Sequence, residues 1–420
     1  MNILYILGAY KPRASANGVC SDNIIKELVK QGHSVTVISN YAAELPRVLT
    51  DENGVTVYRV KQRFSQRLAD WAQYNKSSKP NAARLANVVG GVLNKLKLII
   101  TAPFWPKVSV GVINRFSKTA VKLCQNRKFD YVITAYTPVE ALLAGCAVKK
   151  AFPEIKYIPY FLDSLSGGYG PKVFSKETVI KRGLKIEEKV FDIADKIVLM
   201  ESSREHHEKY NKKYLNKAVF LDIPMLYKNF SDEDIKSSEN DNSGKIKMLF
   251  VGSIAAGIRN PEPLISALQK VENKNIECEF VGNINCMSLF EPLKSELGER
   301  LVFTGFLPHE QLFEKIANAD VLINIGNLVS TMVPSKIFEY MSYGKPIIST
   351  FEIENEPSAG YLKNYPLALL LNGNDGADKN GRKIDEFLNE QLGKTVPFEN
   401  VEQDFYKNTP NAFVKNVIMQ

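Results

Sequence analysis

The chain has 420 residues, 45% of them hydrophobic and 24% charged, which predicts two or three globular domains and excludes disordered, collagen-like and coiled-coil classes. The net charge is +8, but Arg59 to Lys128 holds fifteen Lys/Arg against one acid, Asp70, a local +14, so the other 350 residues sum to 8 − 14 = −6. A basic segment on a slightly acidic protein points to a polyanionic partner: nucleic acid, an anionic membrane surface or a phosphorylated substrate.

Met1-Asn2 runs straight into a short apolar stretch, so no signal peptide is expected. No window approaches about 18 apolar residues free of charge, which predicts no membrane span. Cys20, Cys124, Cys146, Cys278 and Cys286 are scattered without a C-x-x-C pair, as in a reduced, cytoplasmic chain without structural zinc.

Short apolar runs predict strands at Ile3–Leu7, Val35–Ser39, Val55–Val60, Tyr131–Ala135, Tyr157–Leu162, Ile197–Met200 and Val219–Ile223. Amphipathic segments between them, such as Asn23–Gln31 and Pro138–Lys150, predict helices. The polar stretch Ser231–Lys245 reads as a linker. The pattern then restarts at Met248–Val251, Cys278–Val281, Leu301–Thr304, Val321–Ile325, Ile347–Ser349 and Leu367–Leu371. This alternation predicts two α/β halves, each a doubly wound parallel sheet, with a ligand cleft between the carboxyl ends of the two sheets. The expected divisions are 1–228, a linker 229–245, 246–400, and a helical segment 401–420 that packs back on the first half.

Two strand-to-loop junctions carry glycines: Gly8 to Gly18, ahead of a helix opening near Ser21-Asp22, and Gly252 to Arg259, ahead of a helix at Pro261. Neither spells G-x-G-x-x-G or G-K-[ST], so spacing alone fits either ordinary turns or anion-binding loops. Within Arg84–Thr101, residues Leu85, Val88, Val92, Leu96 and Ile99 share one helical stripe, followed by Phe104-Trp105. That pattern fits a core-packing helix or a basic amphipathic helix at an anionic membrane. No nucleic-acid motif accompanies the charge. Tyr160 to Asp163 ends a strand and enters the glycine-rich stretch Ser164–Gly170, where Asp163 reads as a turn aspartate or a site acid. None of the four histidines reads as catalytic.

The segment Val333-Pro334-Ser335-Lys336-Ile337-Phe338-Glu339-Tyr340, continuing to Gly344-Lys345-Pro346, resembles the donor-site motif of retaining GT-B glycosyltransferases, particularly the family 4 enzymes of bacterial polysaccharide pathways. Gly305-Phe306-Leu307-Pro308 and Ala319-Asp320-Val321 fit the same order. The likeness is detailed over about 247–350 and looser before it. On a helix starting at Pro334, Ile337, Tyr340 and Met341 share one face, with Glu339, Ser335 and Ser342 nearly opposite.

The resemblance implies a GT-B fold of two Rossmann-like domains and transfer of a sugar, with retention, from a UDP- or GDP-sugar to a glycan or polyprenol-linked acceptor in cell-surface polysaccharide biosynthesis. It implies that Glu339 holds the donor ribose and that backbone N–H groups from Val333 to Lys336 meet the diphosphate. Gly252, Ser253, Arg259, Phe306 and Thr331 complete the implied donor site. Arg259 is the implied diphosphate contact, while Ser253 stands where a first basic residue is usual and Lys336 could supply that charge. Thr331 stands where the first glutamate of E-x7-E is usual. Asp163 resembles an acid at the catalytic cleft, and Asn17 and Gly18 belong to the acceptor-side loop. The one strict D-x-D, Asp232-Glu233-Asp234, lies in the linker, so neither metal nor cofactor is expected. The expected location is the cytoplasm, peripheral on the inner face of the plasma membrane. Two further readings stay open: a weakened GT-B scaffold subunit, supported by Thr331 and Ser253, and a GT-B sugar-nucleotide epimerase.

Overall fold

In the computed structural model the described residues form fourteen strands in two sheets, thirteen of them on the apolar runs. It describes residues 1–11, 15–41, 45–107, 109–168, 170–171, 173–228, 230, 244–307, 309–329 and 335–419. The chain divides into two compact units, one of Met1–Pro224 with Pro410–Gln420 and one of Met225–Thr409.

The first unit holds β1 (Asn2–Ile6), β2 (Ser34–Asn40), β3 (Val48–Thr50), β4 (Thr56–Val60), β5 (Tyr131–Tyr136), β6 (Lys156–Phe161), β7 (Ile197–Met200) and β8 (Ala218–Leu221), in spatial order β3-β4-β2-β1-β5-β6-β7-β8. All pairings are parallel except β3 with β4. Its helices are α1 (Ala16–Lys30), α2 (Phe64–Tyr74), α3 (Pro80–Thr101), α4 (Val110–Asn126), α5 (Val139–Ala151), α6 (Lys176–Phe191) and α7 (Arg204–Tyr210). Leu4, Ile6 and Val132 pack with Phe116 of α4, Leu142 of α5 and Val190 of α6 on one face. Of the C-terminal segment expected at 401–420, only Pro410–Gln420 joins this unit, while Val401 and Phe405 pack in the second unit's core. Phe413 meets Tyr160 edge-on at 5.2 Å, and Tyr131 donates its hydroxyl to the Ile418 carbonyl at 3.2 Å.

The second unit holds β9 (Ile246–Val251), β10 (Ile276–Val281), β11 (Leu301–Thr304), β12 (Val321–Ile325), β13 (Ile347–Phe351) and β14 (Ala368–Asn372), all parallel, in order β11-β10-β9-β12-β13-β14. Its helices include α8 (Glu262–Gln269), α9 (Glu291–Leu297), α10 (His309–Asn318), α11 (Lys336–Ser342), α12 (Pro357–Leu362) and α13 (Ala377–Gln391). Both faces are covered, because side chains alternate along each strand. Met248 and Phe250 pack with Leu264, Leu293 and Ile384. Leu249 and Val251 pack with Ile316, Ile337, Met341 and Leu362. In each sheet the order reverses beside the first strand, between β1 and β5 and between β9 and β12, which opens a crevice at the carboxyl ends there.

Two expectations change. The apolar stripe of α3 faces out, with Leu85, Val88, Leu96, Ile99 and Ile100 all exposed, so α3 is not a core-packing helix. Against the expectation that no window approaches membrane length, the helix Pro80–Phe104 is, by length and composition, long and apolar enough to cross a bilayer. The aromatic pair after it divides, Phe104 exposed and Trp105 packed against the sheet core.

Candidate functional site

At the switch point of the second unit, three strand ends are tied into one network. Tyr340 on α11 accepts a hydrogen bond from the Val251 N–H at 2.8 Å, which fixes α11 against the end of β9. Gly252 and Gly282 follow β9 and β10. A Cβ at Gly282, where φ is +130°, would sit 1.9 Å from the Gly252 carbonyl oxygen, so these turns pass at a distance only glycine permits. The next turn closes with the Ile258 and Arg259 N–H groups on the Ala255 carbonyl, at 2.7 and 2.8 Å.

Arg259 is half-buried at this turn, and burial pulls its pKa down against the opposing pull of Tyr340 and Glu356. Its Nε donates to Asn327 Oδ1 at 2.9 Å and its Nη1 to the Ser253 carbonyl at 3.0 Å. Asn327, buried after β12, donates its backbone N–H to Glu356 Oε1 at 3.0 Å. Glu356, buried after β13, also accepts from Ser358 Oγ at 3.1 Å and, as the N-cap of α12, from the Ala359 N–H at 2.8 Å. A guanidinium carries five N–H donors. Two are used to hold its plane, which leaves three for an anion.

Ser253 is exposed and contributes its carbonyl rather than its hydroxyl to the Arg259 contact. Phe306, just past β11, is 90% exposed, a free aromatic face at a strand's carboxyl end. The motif helix is shorter than the sequence implies, running from Lys336 to Ser342 with Ser335 at its N-cap. Ile337, Phe338, Tyr340 and Met341 are buried as the stripe predicts. Ser342, expected opposite them, is buried too, because its hydroxyl turns back onto the Glu339 carbonyl at 2.7 Å. That leaves Ser335, Lys336 and Glu339 part-exposed, with the Lys336 ammonium paired to the Glu339 carboxylate. Lys336 thus balances the charge of Glu339. Thr331, Val333 and Pro334 lie outside the described residues, as does Asp232-Glu233-Asp234.

In the first unit, Asn17 and Gly18 are not in a loop. α1 begins at Ala16, because the Ser15 side chain caps it by accepting from the Gly18 N–H at 3.2 Å. Asn17 Nδ2 reaches both the Tyr136 carbonyl at 3.3 Å and Asp163 Oδ2 at 3.4 Å, which brings the ends of β5 and β6 to the first turn of α1. Asp163 is exposed. The stretch after it starts from an anchor rather than swinging free: Ser166 is buried and gives its N–H and hydroxyl to Glu187 at 2.8 and 2.7 Å. His206 Nε2 sits 2.7 Å from the same hydroxyl, and His207 Nδ1 lies 2.9 Å from Asn211, which donates to Glu187 at 3.0 Å. Among the described residues, no group of three or more His, Cys, Asp or Glu is arranged to hold a metal ion.

Asn327 and Glu356 were not anticipated. The signal available for Glu356 was a capping acid directly before Pro357 at a helix start. Asn327 had none, since one asparagine after an apolar strand reads as a turn.

Residues 245–388 match the family model described as Glycosyl transferases group 1. No curated protein matches the chain in sequence. Solved structures align along its length. Anabaena Alr3699/HepE in complex with UDP shares 15% identity over 100% of both chains, with a TM-score of 0.60. An α,α-trehalose-phosphate synthase (UDP-forming) from Burkholderia xenovorans, in complex with glucose-6-phosphate, shares 11% over 100% of this chain and 99% of its own, at 0.58. The lipopolysaccharide outer core galactosyltransferase WaaB shares 13% over 99% and 98%, at 0.53. At such identities these structures establish the two-unit GT-B architecture and nothing finer. Residues 245–388 are thus similar to glycosyl transferases group 1, within a chain that has the GT-B fold.

Proposed function

We propose that the chain moves a sugar from a UDP- or GDP-sugar, with retention of anomeric configuration, to a hydroxyl of a glycan or polyprenol-linked acceptor in cell-surface polysaccharide biosynthesis. The observation that carries this reading is Arg259, a guanidinium held by Asn327 and the Ser253 carbonyl at the strand ends of the group 1 domain. A cation held rigidly there meets the charge that grows on a departing diphosphate, and its fixed plane costs no reorganisation during the step. Glu339, part-exposed on α11, has the two acceptor oxygens that a ribose diol requires. On donor binding its pairing with Lys336 loosens, which frees the ammonium for phosphate. Phe306 offers an aromatic face to the base.

The nucleotide choice draws on neighbours: Anabaena Alr3699/HepE holds UDP, or UDP and glucose, in its crystals, and an E. coli trehalose-6-phosphate protein holds UDP-2-fluoro glucose. The acceptor class draws on the lipopolysaccharide galactosyltransferase. Asp163, exposed and bonded to Asn17 at the switch point of the first unit, is the proposed site acid on the acceptor side. A thermal-shift panel of UDP-, GDP-, ADP- and CMP-sugars tests the donor assignment. Stabilisation by a UDP- or GDP-sugar, lost in Glu339→Ala, is the expected result. No stabilisation by any nucleotide sugar would overturn it in favour of a scaffold subunit.

A further inference from the structure

Helix α3 is built inside out. The row it turns toward α2 is small or polar: Ala83, Ala86 and Gly90 are buried, and Asn94 and Lys97 continue the row. A Cβ at Gly90 would lie 3.3 Å from the Ser65 carbonyl, so the two helices approach on small residues, leaving no groove for large ones. The large apolar side chains point away. Leu85, Ile99, Ile100 and Phe104 are 65%, 72%, 69% and 68% exposed, and Val88, Val92 and Leu96 between them are exposed too. Half of the large exposed apolar side chains among the described residues fall between Phe64 and Val110. A solvated face of this size on a soluble surface marks a contact.

Two observations identify what covers it. The first is charge: Arg67, Lys76, Lys79, Arg84 and Lys95 are all exposed around the stripe, within a segment holding fifteen cations and one acid. A second copy of the chain would bring +14 against +14, whereas an anionic surface is complementary. The second is topology. The 22 residues of α3 are long enough to span a bilayer, but β4 before it and α4 and β5 after it belong to one unit. A single crossing would strand them on opposite sides, so the helix must lie in the plane of the surface.

We propose that the α2–α3 pair docks this protein on an anionic bilayer, the stripe from Leu85 to Phe104 entering the headgroup–acyl boundary and the surrounding Lys/Arg contacting lipid phosphates. The inference is independent of the acceptor assigned above, since it concerns lipid binding without any sugar.

The test is flotation of the full chain with vesicles of phosphatidylcholine containing about 30 mol % phosphatidylglycerol, and with pure phosphatidylcholine. The anionic vesicles should bind it at least roughly tenfold better. Ile99→Asn/Ile100→Asn/Phe104→Ser should lose on the order of tenfold or more of that binding. All three positions are exposed, so the variant should keep the wild-type melting temperature, with and without nucleotide sugar. An introduced Leu96→Trp should shift its emission to the blue only with anionic vesicles. Wild-type affinity in the triple variant, or no binding by the wild-type chain, would overturn the proposal. A dimer in sedimentation that the triple variant dissolves would also overturn it, by assigning the stripe to a second copy.

Discussion

Arg259 and Asn327 are joined side chain to side chain, Nε to Oδ1 at 2.9 Å, and Asn327 is in turn held by its own N–H on Glu356. The cation of the proposed donor site is therefore aimed by a chain of hydrogen bonds, part-buried at Arg259 and buried at Glu356, that runs across three strand ends. Arg259→Ala should lower kcat/KM for the nucleotide sugar by on the order of a hundredfold or more. Arg259→Lys should restore little, because an ammonium cannot hold both the Asn327 and Ser253 contacts in one plane. Steady-state kinetics of the two variants checks this, and near-wild-type turnover in Arg259→Ala would remove the residue from the site.

Glu356 should report through stability as well as rate. Its carboxylate accepts from Asn327, Ser358 and Ala359, so Glu356→Ala leaves buried donors unmet and removes a helix cap. A loss of about 2–3 kcal/mol in urea unfolding is expected, together with a fall in kcat from misplacement of Arg259. Unchanged stability would show that the network is not what anchors the loop.

The glycine pair is a third test. At Gly282, φ is +130° and a Cβ would meet the Gly252 carbonyl oxygen at 1.9 Å. Gly282→Ala should destabilise by several kcal/mol, since backbone rather than a flexible side chain must give way. Thermal melting checks it. At Gly257, where nothing lies within 4 Å of a Cβ, the same change should be nearly silent.

Much of this fold is legible from apolar runs. Ile197–Met200 and Val321–Ile325 are strands end for end, because fully buried parallel strands read as unbroken hydrophobic stretches, and Leu301–Thr304 matches too although it is a part-exposed edge strand. The antiparallel edge strand Val48–Thr50 was not, since all three residues are exposed and carry no such run. The helical stripe in α3 was visible, yet a stripe does not say which way it faces. That depended on the small-residue row Ala83, Ala86 and Gly90 finding α2. At the site, Glu339 and Arg259 stood in motifs, while Asn327 and Glu356 gain their meaning only from strand ends far apart in sequence.

His207 sets an acid limit. It is buried, and desolvation lowers its pKa to about 4, with Glu187 pulling the other way. The unfolded chain, with histidine near its ordinary 6.5, takes up a proton first as pH falls. Stability should therefore be whole above about pH 6.5 and decline between there and about pH 4 by on the order of 1–3 kcal/mol. Urea midpoints at pH 7 and pH 5 measure it. His207→Phe should flatten the slope, and an unflattened slope would place the titration elsewhere.

The most direct measurement is transfer itself: labelled UDP- and GDP-sugars incubated with the chain and a polyprenol-phosphate lipid extract, the lipid and glycan fractions then counted. The account predicts label in one of these fractions with wild type, with the donor's anomeric configuration kept, and on the order of a hundredfold less with Arg259→Ala. No transfer from any nucleotide sugar, or equal transfer by Arg259→Ala, would contradict it.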